Sequence, residues 1–253
     1  HYPYFDPFKL TLHPTATPFI VTVHDLIPRQ FKSHFPVGIR GEIKWLIQKH
    51  RLKKAKCIIV PSLNAKYSVS DIINYPSNLI FVTTLAADSS FHPITNQKKL
   101  KSIKKKYQLP NKFVLYVGDL NWNKNVPSLV NACLQLNYPL VIVGSAAVKK
   151  VDQNPWNKDI IWLQTLAPKY QSSKTLILTG FVPDTDLPSI FNLATLYCQP
   201  SFAEGFGLPL LQAMQSGTPT LFANTSSLPE ISSFSGLSFD PNSFSDLQKK
   251  ISK

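Results

Sequence analysis

Residues 200–214 read PSFAEGFGLPLLQAM, and this is the stretch with the strongest chemical content. An apolar run ends, two glycines space a short loop, and a helical pattern begins. A loop of that kind leaves backbone N–H groups unpaired at the positive end of a helix, where a diphosphate can be held. Glu204 lies in the loop and Gln212 on the helix. The competing reading is a carboxylate that caps its own helix.

Other residues have weaker claims. Gly118, Gly144, Gly180, Gly205 and Gly207 all follow apolar runs, among only 9 glycines in the chain. Together they describe one rim at the carboxyl ends of strands, where open α/β sheets bind ligands. Neither GxGxxG nor GxxxxGK[ST] occurs, which argues against a dinucleotide oxidoreductase or a P-loop NTPase. Asp184-Thr185-Asp186 has the form of a metal-binding DxD. It also stands just before the helical pattern LPSIFNLA, where aspartates at the cap and first turn satisfy free N–H groups. Capping is the reading taken, and no metal site is expected. His24, at the end of VTVHDL, reads on its own as a loop hydrogen-bonder.

These residues need a scaffold. The runs FIVTVHDL, CIIVPS, IFVTTLAA, FVLYVGDL, LVIVGS, TLILTGFV, ATLYCQPS and TPTLFANT are nearly continuous in apolar character, which predicts strands buried on both faces. Helical patterns at 38–55, 64–74, 96–107, 126–136, 187–194 and 206–215 alternate with them. The class is α/β with parallel sheets. A lysine-rich stretch after IFVTTLAA predicts a boundary near 88–98, giving domains at 1–92 and 111–253 with a linker at 93–110.

The chain has 253 residues and a net charge of +13. Residues 1–110 hold 17 Lys and Arg against 5 Asp and Glu, whereas 111–253 hold 10 against 9. The basicity therefore belongs to one half, a field suited to phosphorylated ligands, anionic lipid or nucleic acid. On the 38–55 helix Arg40, Lys44 and Arg51 fall within roughly 40° of one another. Ile39, Ile43 and Leu46 form the neighbouring apolar face. A solvated face is the ordinary reading of the basic row, and contact with anionic headgroups the alternative. Aromatics are not interleaved with the basic runs, so no nucleic-acid partner is expected. No uncharged apolar run nears the ~18 residues of a membrane span, and HYPYFDPF lacks the order of a signal peptide. Cys57, Cys133 and Cys198 are too far apart to suggest a disulfide framework or zinc site, so reduced, mostly buried thiols in a cytoplasmic protein are expected.

The 200–214 stretch resembles the EGFGLPLLEAM signature of family 4 glycosyltransferases. VTVHDL, VPSLNAKYSVSDI, VLYVGDLNWNKN, VIVG, LTGFVPDTDLPSIFNLA, SGTPT and SSLPEI occur in that family's order and spacing. The resemblance implies a GT-B fold, two Rossmann-like domains of which the first is incomplete here. It implies metal-independent transfer, with retention of configuration, from a nucleoside-diphosphate sugar to a carbohydrate or lipid-linked hydroxyl acceptor. No cofactor is implied beyond that donor. The family's first βα unit and closing helices are missing, so a fragment or a short form is expected, in the cytoplasm or at the inner face of the membrane.

Residue by residue, Glu204 matches the first acid of the family's E-x7-E motif, against the donor sugar. Gln212 matches the second, which takes the ribose hydroxyls, and here it is an amide. Lys124 matches a lysine that pairs with the diphosphate. Asp119, after Gly118, stands where many members have Arg. His24 matches a histidine that approaches the donor sugar. Phe181 and Val182 match a loop beside the base. Ser201 and the Gly205-Phe206-Gly207-Leu208 turn complete the donor set, and Glu230 belongs to a motif of less defined role. Three alternatives stay open: a nucleotide-sugar epimerase or hydrolase of the same fold, an inactive donor-binding fragment, and a basic nucleic-acid-binding module.

Overall fold

The computed structural model describes residues 1–148, 157–170, 173–233 and 235–253. The chain folds as two compact units, one made of His1–Leu85 with Ala203–Phe206, the other of Ala86–Phe202 with Gly207–Lys253.

The first unit contains three short parallel strands, β1 (Ile20–Thr22), β2 (Cys57–Val60) and β3 (Ile80–Val82), in the spatial order β1-β2-β3. Helices α1 (Ile27–Gln30) and α2 (Gly38–Leu52) lie between the first two strands, and α3 (Leu63–Ile73) between the second and third. The register pairs Ile20 with Cys57 and Ile58 with Ile80. Val21, Val23, Leu52, Ile58, Val69, Ile73 and Ile80 form its core. These strands are not covered on both faces among the described residues: β2 alternates between half-buried and buried, and Phe81 on β3 is 52% exposed.

Helix α2 turns Gly41, Trp45, Gln48 and Leu52 inward. Gln48 is fully buried because its amide donates to the Lys9 carbonyl and the Thr11 hydroxyl while its oxygen accepts from Leu12 N–H. Buried polar groups are tolerated when paired in this way. Arg29, buried on α1, makes two bonds to Glu42 of α2, at 2.6 and 3.0 Å, and lies over the rings of Trp45 and Phe8.

The second unit is a six-stranded, all-parallel sheet: β4 (Val114–Val117), β5 (Leu140–Val143), β6 (Leu176–Gly180), β7 (Leu196–Gln199), β8 (Thr220–Ala223) and β9 (Leu237–Phe239), in the spatial order β6-β5-β4-β7-β8-β9. Every residue of β5 and β8 is buried, as the continuous apolar runs require. The helices are α4 (Gln97–Lys106), α5 (Val126–Gln135), α6 (Lys158–Leu166), α7 (Leu187–Leu193), α8 (Leu208–Gln215), α9 (Leu228–Ile231) and α10 (Phe244–Ile251). The eight expected strands are present, and β9, α1, α6, α9 and α10 are additional. Cys133 and Cys198 are buried and Cys57 is half-buried; burial pushes the Cys133 thiol up to about 12 and that of Cys198 well above its ordinary value.

Asp186 stands at the N-cap of α7 but makes no side-chain capping bond. Its carboxylate instead accepts from Lys106 Nζ at 2.6 Å and from Tyr107 OH at 2.8 Å. The expected side-chain cap is thus replaced by a tie between α7 and the end of α4, because an ammonium offers a stronger partner than a backbone N–H. Those bonds, Lys106 first, hold the Asp186 carboxyl below its ordinary range. Asp184 is exposed.

Candidate donor site

The strand order places a topological switch between β4 and β7, from which the chain winds outward in both directions. Crevices at such points, beyond the carboxyl ends of the strands, are where open α/β sheets bind ligands. Gly118 follows β4 directly, and Ser201 and Phe202 follow β7.

The loop after β4 runs through the 3-10 turn Trp122–Lys124 to Asn125, which adopts a left-handed conformation at φ 51° and starts α5. Several bonds tie it to the loop after β7. Phe202 N–H donates to Asn123 O at 2.8 Å, Asn125 Nδ2 donates to Pro200 O at 3.1 Å, and the Trp122 ring stacks on Phe202. Asn125 is itself held, since its Oδ1 accepts from Ser128 Oγ at 2.6 Å. Lys124 is half-buried on this tethered turn, whereas Asp119 is exposed and its carbonyl accepts from Tyr116 OH at 2.6 Å.

Ser201 is fully buried. Its hydroxyl accepts from Gln199 Nε2 at 2.9 Å, and the Gln199 oxygen accepts from Tyr197 OH, so a buried polar chain stiffens the end of β7. Helix α8 begins at Leu208, not at Phe206, because Gly207 takes φ +103° at the N-cap. A side chain there would be strained and would strike Leu228. Gln212 consequently lies only a little over one turn into α8, half-buried. At the end of β6, Phe181 is 74% exposed while Val182 joins the core. The exposed ring is free to stack on a planar group; Val182 holds the turn in place. Glu230 is half-buried on α9.

His24 and Glu204 both fall in the first unit. His24 follows β1 and is exposed; Glu204 is 7% exposed. The Gly205 backbone approaches the His24 backbone so closely that a Cβ at 205 would lie 2.5 Å from the His24 carbonyl oxygen and 2.9 Å from Asp25 Cβ. Gly205 O also accepts from Ser62 Oγ at 2.7 Å, and the same hydroxyl oxygen accepts from Ala65 N–H to cap α3. Sequence reasoning does not single out Ser62, Trp122, Asn125 or Phe202 as site residues. The local signal that exists is at Ser62, placed as an N-cap before a helical pattern.

Residues 97–253 match the family model described as "Glycosyl transferases group 1". O-antigen chain mannosyltransferase B of Escherichia coli is 33% identical over 198 residues, 76% of this chain and 49% of that protein. The serotype-specific mannosyltransferase WbdA of Escherichia coli is 29% identical over 242 residues, 92% of this chain and 29% of that protein. The chain thus spans about half of the first relative and less than a third of the second. Among solved structures, HepE of Anabaena in complex with UDP and glucose superposes with a TM-score of 0.74 at 18% identity, over 93% of this chain and 61% of that one. Sucrose-phosphate synthase of Thermosynechococcus elongatus gives 0.73 at 22%, over 92% and 57%. These likenesses establish a GT-B fold.

Proposed function

The chain belongs to the glycosyl transferases group 1 family, and from that premise we propose that it forms the donor side of a retaining, metal-independent glycosyltransferase. The reaction moves a sugar from a nucleoside-diphosphate sugar to a hydroxyl of a carbohydrate or lipid-linked acceptor in glycan synthesis. The observation that carries this reading is the tethering of two loops at the β4/β7 switch point, one bearing Lys124 and the other leading into the α8 N-terminus. The names of both Escherichia coli relatives favour a mannosyl donor.

Residues 111–253 are assigned to the nucleotide-sugar domain. Glycosidic bond breakage loads negative charge onto the departing diphosphate and positive charge onto the sugar ring. Lys124 and the N–H groups at the start of α8 supply fixed positive charge for the diphosphate and need no rearrangement as the bond breaks, which is what makes preorganised electrostatic stabilisation effective. Gln212 accepts one bond from the ribose and donates another. Phe181 offers an exposed ring to the base. Glu204 and His24 are assigned to the sugar, Glu204 as the group that orients it, with Ser62 and the close Gly205–His24 approach fixing the backbone on either side.

A thermal-shift panel of nucleoside-diphosphate sugars tests the reading. A ligand at about 100 times its Kd adds ~2.7 kcal/mol of stability, so the right donor raises Tm clearly while its bare sugar does not. No shift with any nucleotide-sugar refutes the assignment.

A further inference from the structure

The edge strand β6 runs along a recess. Leu176, Ile177, Leu178 and Thr179 all line a cavity of about 580 Å³. Successive side chains of a strand point to opposite faces, so a cavity that touches four residues in a row meets the main-chain edge itself. One wall comes from Lys106, Tyr107 and Gln108 at the end of α4, which packs on α7. The other comes from Gln164 of α6 and from Ala167 and Pro168 just beyond it. Right-handed connections put α6 and α7 on opposite faces of the sheet, because β5 to β6 runs outward and β6 to β7 runs back. The recess therefore lies between the two helical layers, along the free edge.

Main-chain groups face into it. Leu140 N–H donates to Thr175 O at 2.8 Å, and Leu140 and Ile142 stand opposite Leu176 and Leu178. A parallel ladder alternates, so Ile177 and Thr179 serve β5 while the N–H and C=O of Leu176 and Leu178 turn outward. Strand β6 is the last of its sheet, and no described residue pairs with its outer side. Exposed edges are ordinarily guarded by charge or proline. Leu176–Gly180 contains neither.

The surroundings select what adds to this edge. A second recess shares Gln108 and Lys174 with the first and adds Lys101, Lys104 and Lys105. Neither wall contains a carboxylate. Lys106 is engaged by Asp186, but Lys101, Lys105 and Lys174 are exposed and make no ion pair among the described residues. A strand added to β6 would turn alternate side chains toward the lysines of α4 on one face and toward Ala167 and Pro168 on the other. Complementarity asks for carboxylates on the first side and apolar groups on the second. A bilayer or a nucleic acid would meet the cations and leave the recessed edge unpaired. A second copy of this chain would bring its own lysines to the same groove.

We propose that β6 docks an extended segment of a partner protein, alternating acidic and apolar residues, which pairs with Leu176 and Leu178 as a further strand of the sheet. The docking uses no residue assigned to the donor.

Titration of the 253-residue chain with a capped, fluorescein-labelled heptapeptide of alternating Glu and Val tests this. The peptide should bind, and the Leu178 amide should exchange more slowly with solvent deuterium in its presence. N-methylation of the peptide's valines blocks one edge of its main chain and N-methylation of its glutamates the other, at unchanged charge. One of these two peptides should lose binding. Lys105→Glu with Lys174→Glu should lower affinity about tenfold, since each exposed ion pair contributes up to about fivefold. Leu178→Pro removes an outward donor and spares the ladder to β5. It should lower affinity about two- to tenfold, the equivalent of one hydrogen bond, and the N-methylated pair reads the same bond on the unaltered protein. No binding, equal affinities of the two N-methylated peptides, unchanged binding by the Lys105→Glu/Lys174→Glu variant, or Leu178 exchange that the peptide does not slow would each overturn the proposal. Equal affinities together with binding of an oligothymidylate of the same charge would overturn it in favour of a general polyanion surface. A solution dimer in which Leu178 exchange is already slow without peptide would overturn it in favour of self-association.

Discussion

Trp122 and Phe202 stack with ring centroids 5.1 Å apart and 24° between their planes. The two residues belong to different loops, one after β4 and one after β7, and Lys124 stands two positions beyond the indole. Aromatic pairs contribute ~0.5–1.5 kcal/mol beyond the area they bury. Trp122→Ala should therefore loosen the 3-10 turn and cost binding of the nucleoside diphosphate, whereas Trp122→Phe, which keeps a ring, should retain most of it. Calorimetry on both variants checks this. Equal losses from Ala and Phe would mean that the indole acts through something other than the stack.

Lys124→Ala should weaken the nucleoside diphosphate much more than the bare nucleoside, because the ammonium is assigned to phosphate. A hydrogen bond to a charged group contributes ~1.5–3 kcal/mol, about ten- to a hundred-fold in Kd. The same calorimetric pair of ligands decides it, and equal losses for both would remove Lys124 from the phosphate site.

Acid should act on the first unit through Glu42. Its hydrogen bonds and charge pairing with Arg29 hold the carboxyl below its ordinary value of 4.5. A depressed folded-state value stabilises above the unfolded one and loses that contribution as pH falls through the folded value. Glu42→Gln should lower Tm most at neutral pH, and the gap from the parent should close as pH falls below about 4.5. Thermal midpoints across that range check it. A gap that does not change with pH would mean that ion pairing is not its source.

The strands of the second unit are legible because parallel strands covered by helices carry continuous apolar runs, as LVIV of β5 does. Strand β9 escaped because Leu237–Phe239 is three residues long with a serine in the middle, and α6 because it buries only Leu163. Helix α2 shows a different limit. A pattern fixes the period of a helix but not which of two apolar faces is inward, and here the inward face contains a glutamine, made tolerable by partners 36 to 39 residues away. The end of β7 and the loop before α8 could be read locally. Ser62 could not be tied to them, since its bond to Gly205 spans 143 residues, and Asp186 prefers a lysine 80 residues away to the helix it precedes.

That engagement of Asp186 bears on metal dependence. A DxD site needs both carboxylates turned to one cation, and Asp186 is already committed to Lys106 and Tyr107. Transfer activity should therefore survive chelation unchanged. Loss in EDTA with recovery on Mn²⁺ would show that the tie between α4 and α7 opens to take a metal.

Gln212→Glu should tighten donor binding. The amide accepts from one ribose hydroxyl while donating to the other, whereas a carboxylate accepts from both. Bonds to charged groups contribute ~1.5–3 kcal/mol against ~0.5–1.5 for neutral ones, so a gain of about 1 kcal/mol is expected, with the diphosphate's charge opposing part of it. The residue is half-buried on α8, so the change needs no new cavity. Any general effect of the added charge would operate with every ligand, which is why the comparison must include a donor lacking the ribose hydroxyls. Affinities of the ribose donor and its 2′,3′-dideoxy analogue, measured on both proteins, separate the two contributions. The carboxylate's benefit should vanish with the dideoxy compound. If both compounds gain equally, or neither does, residue 212 does not read the ribose and the role given to this turn of α8 is wrong.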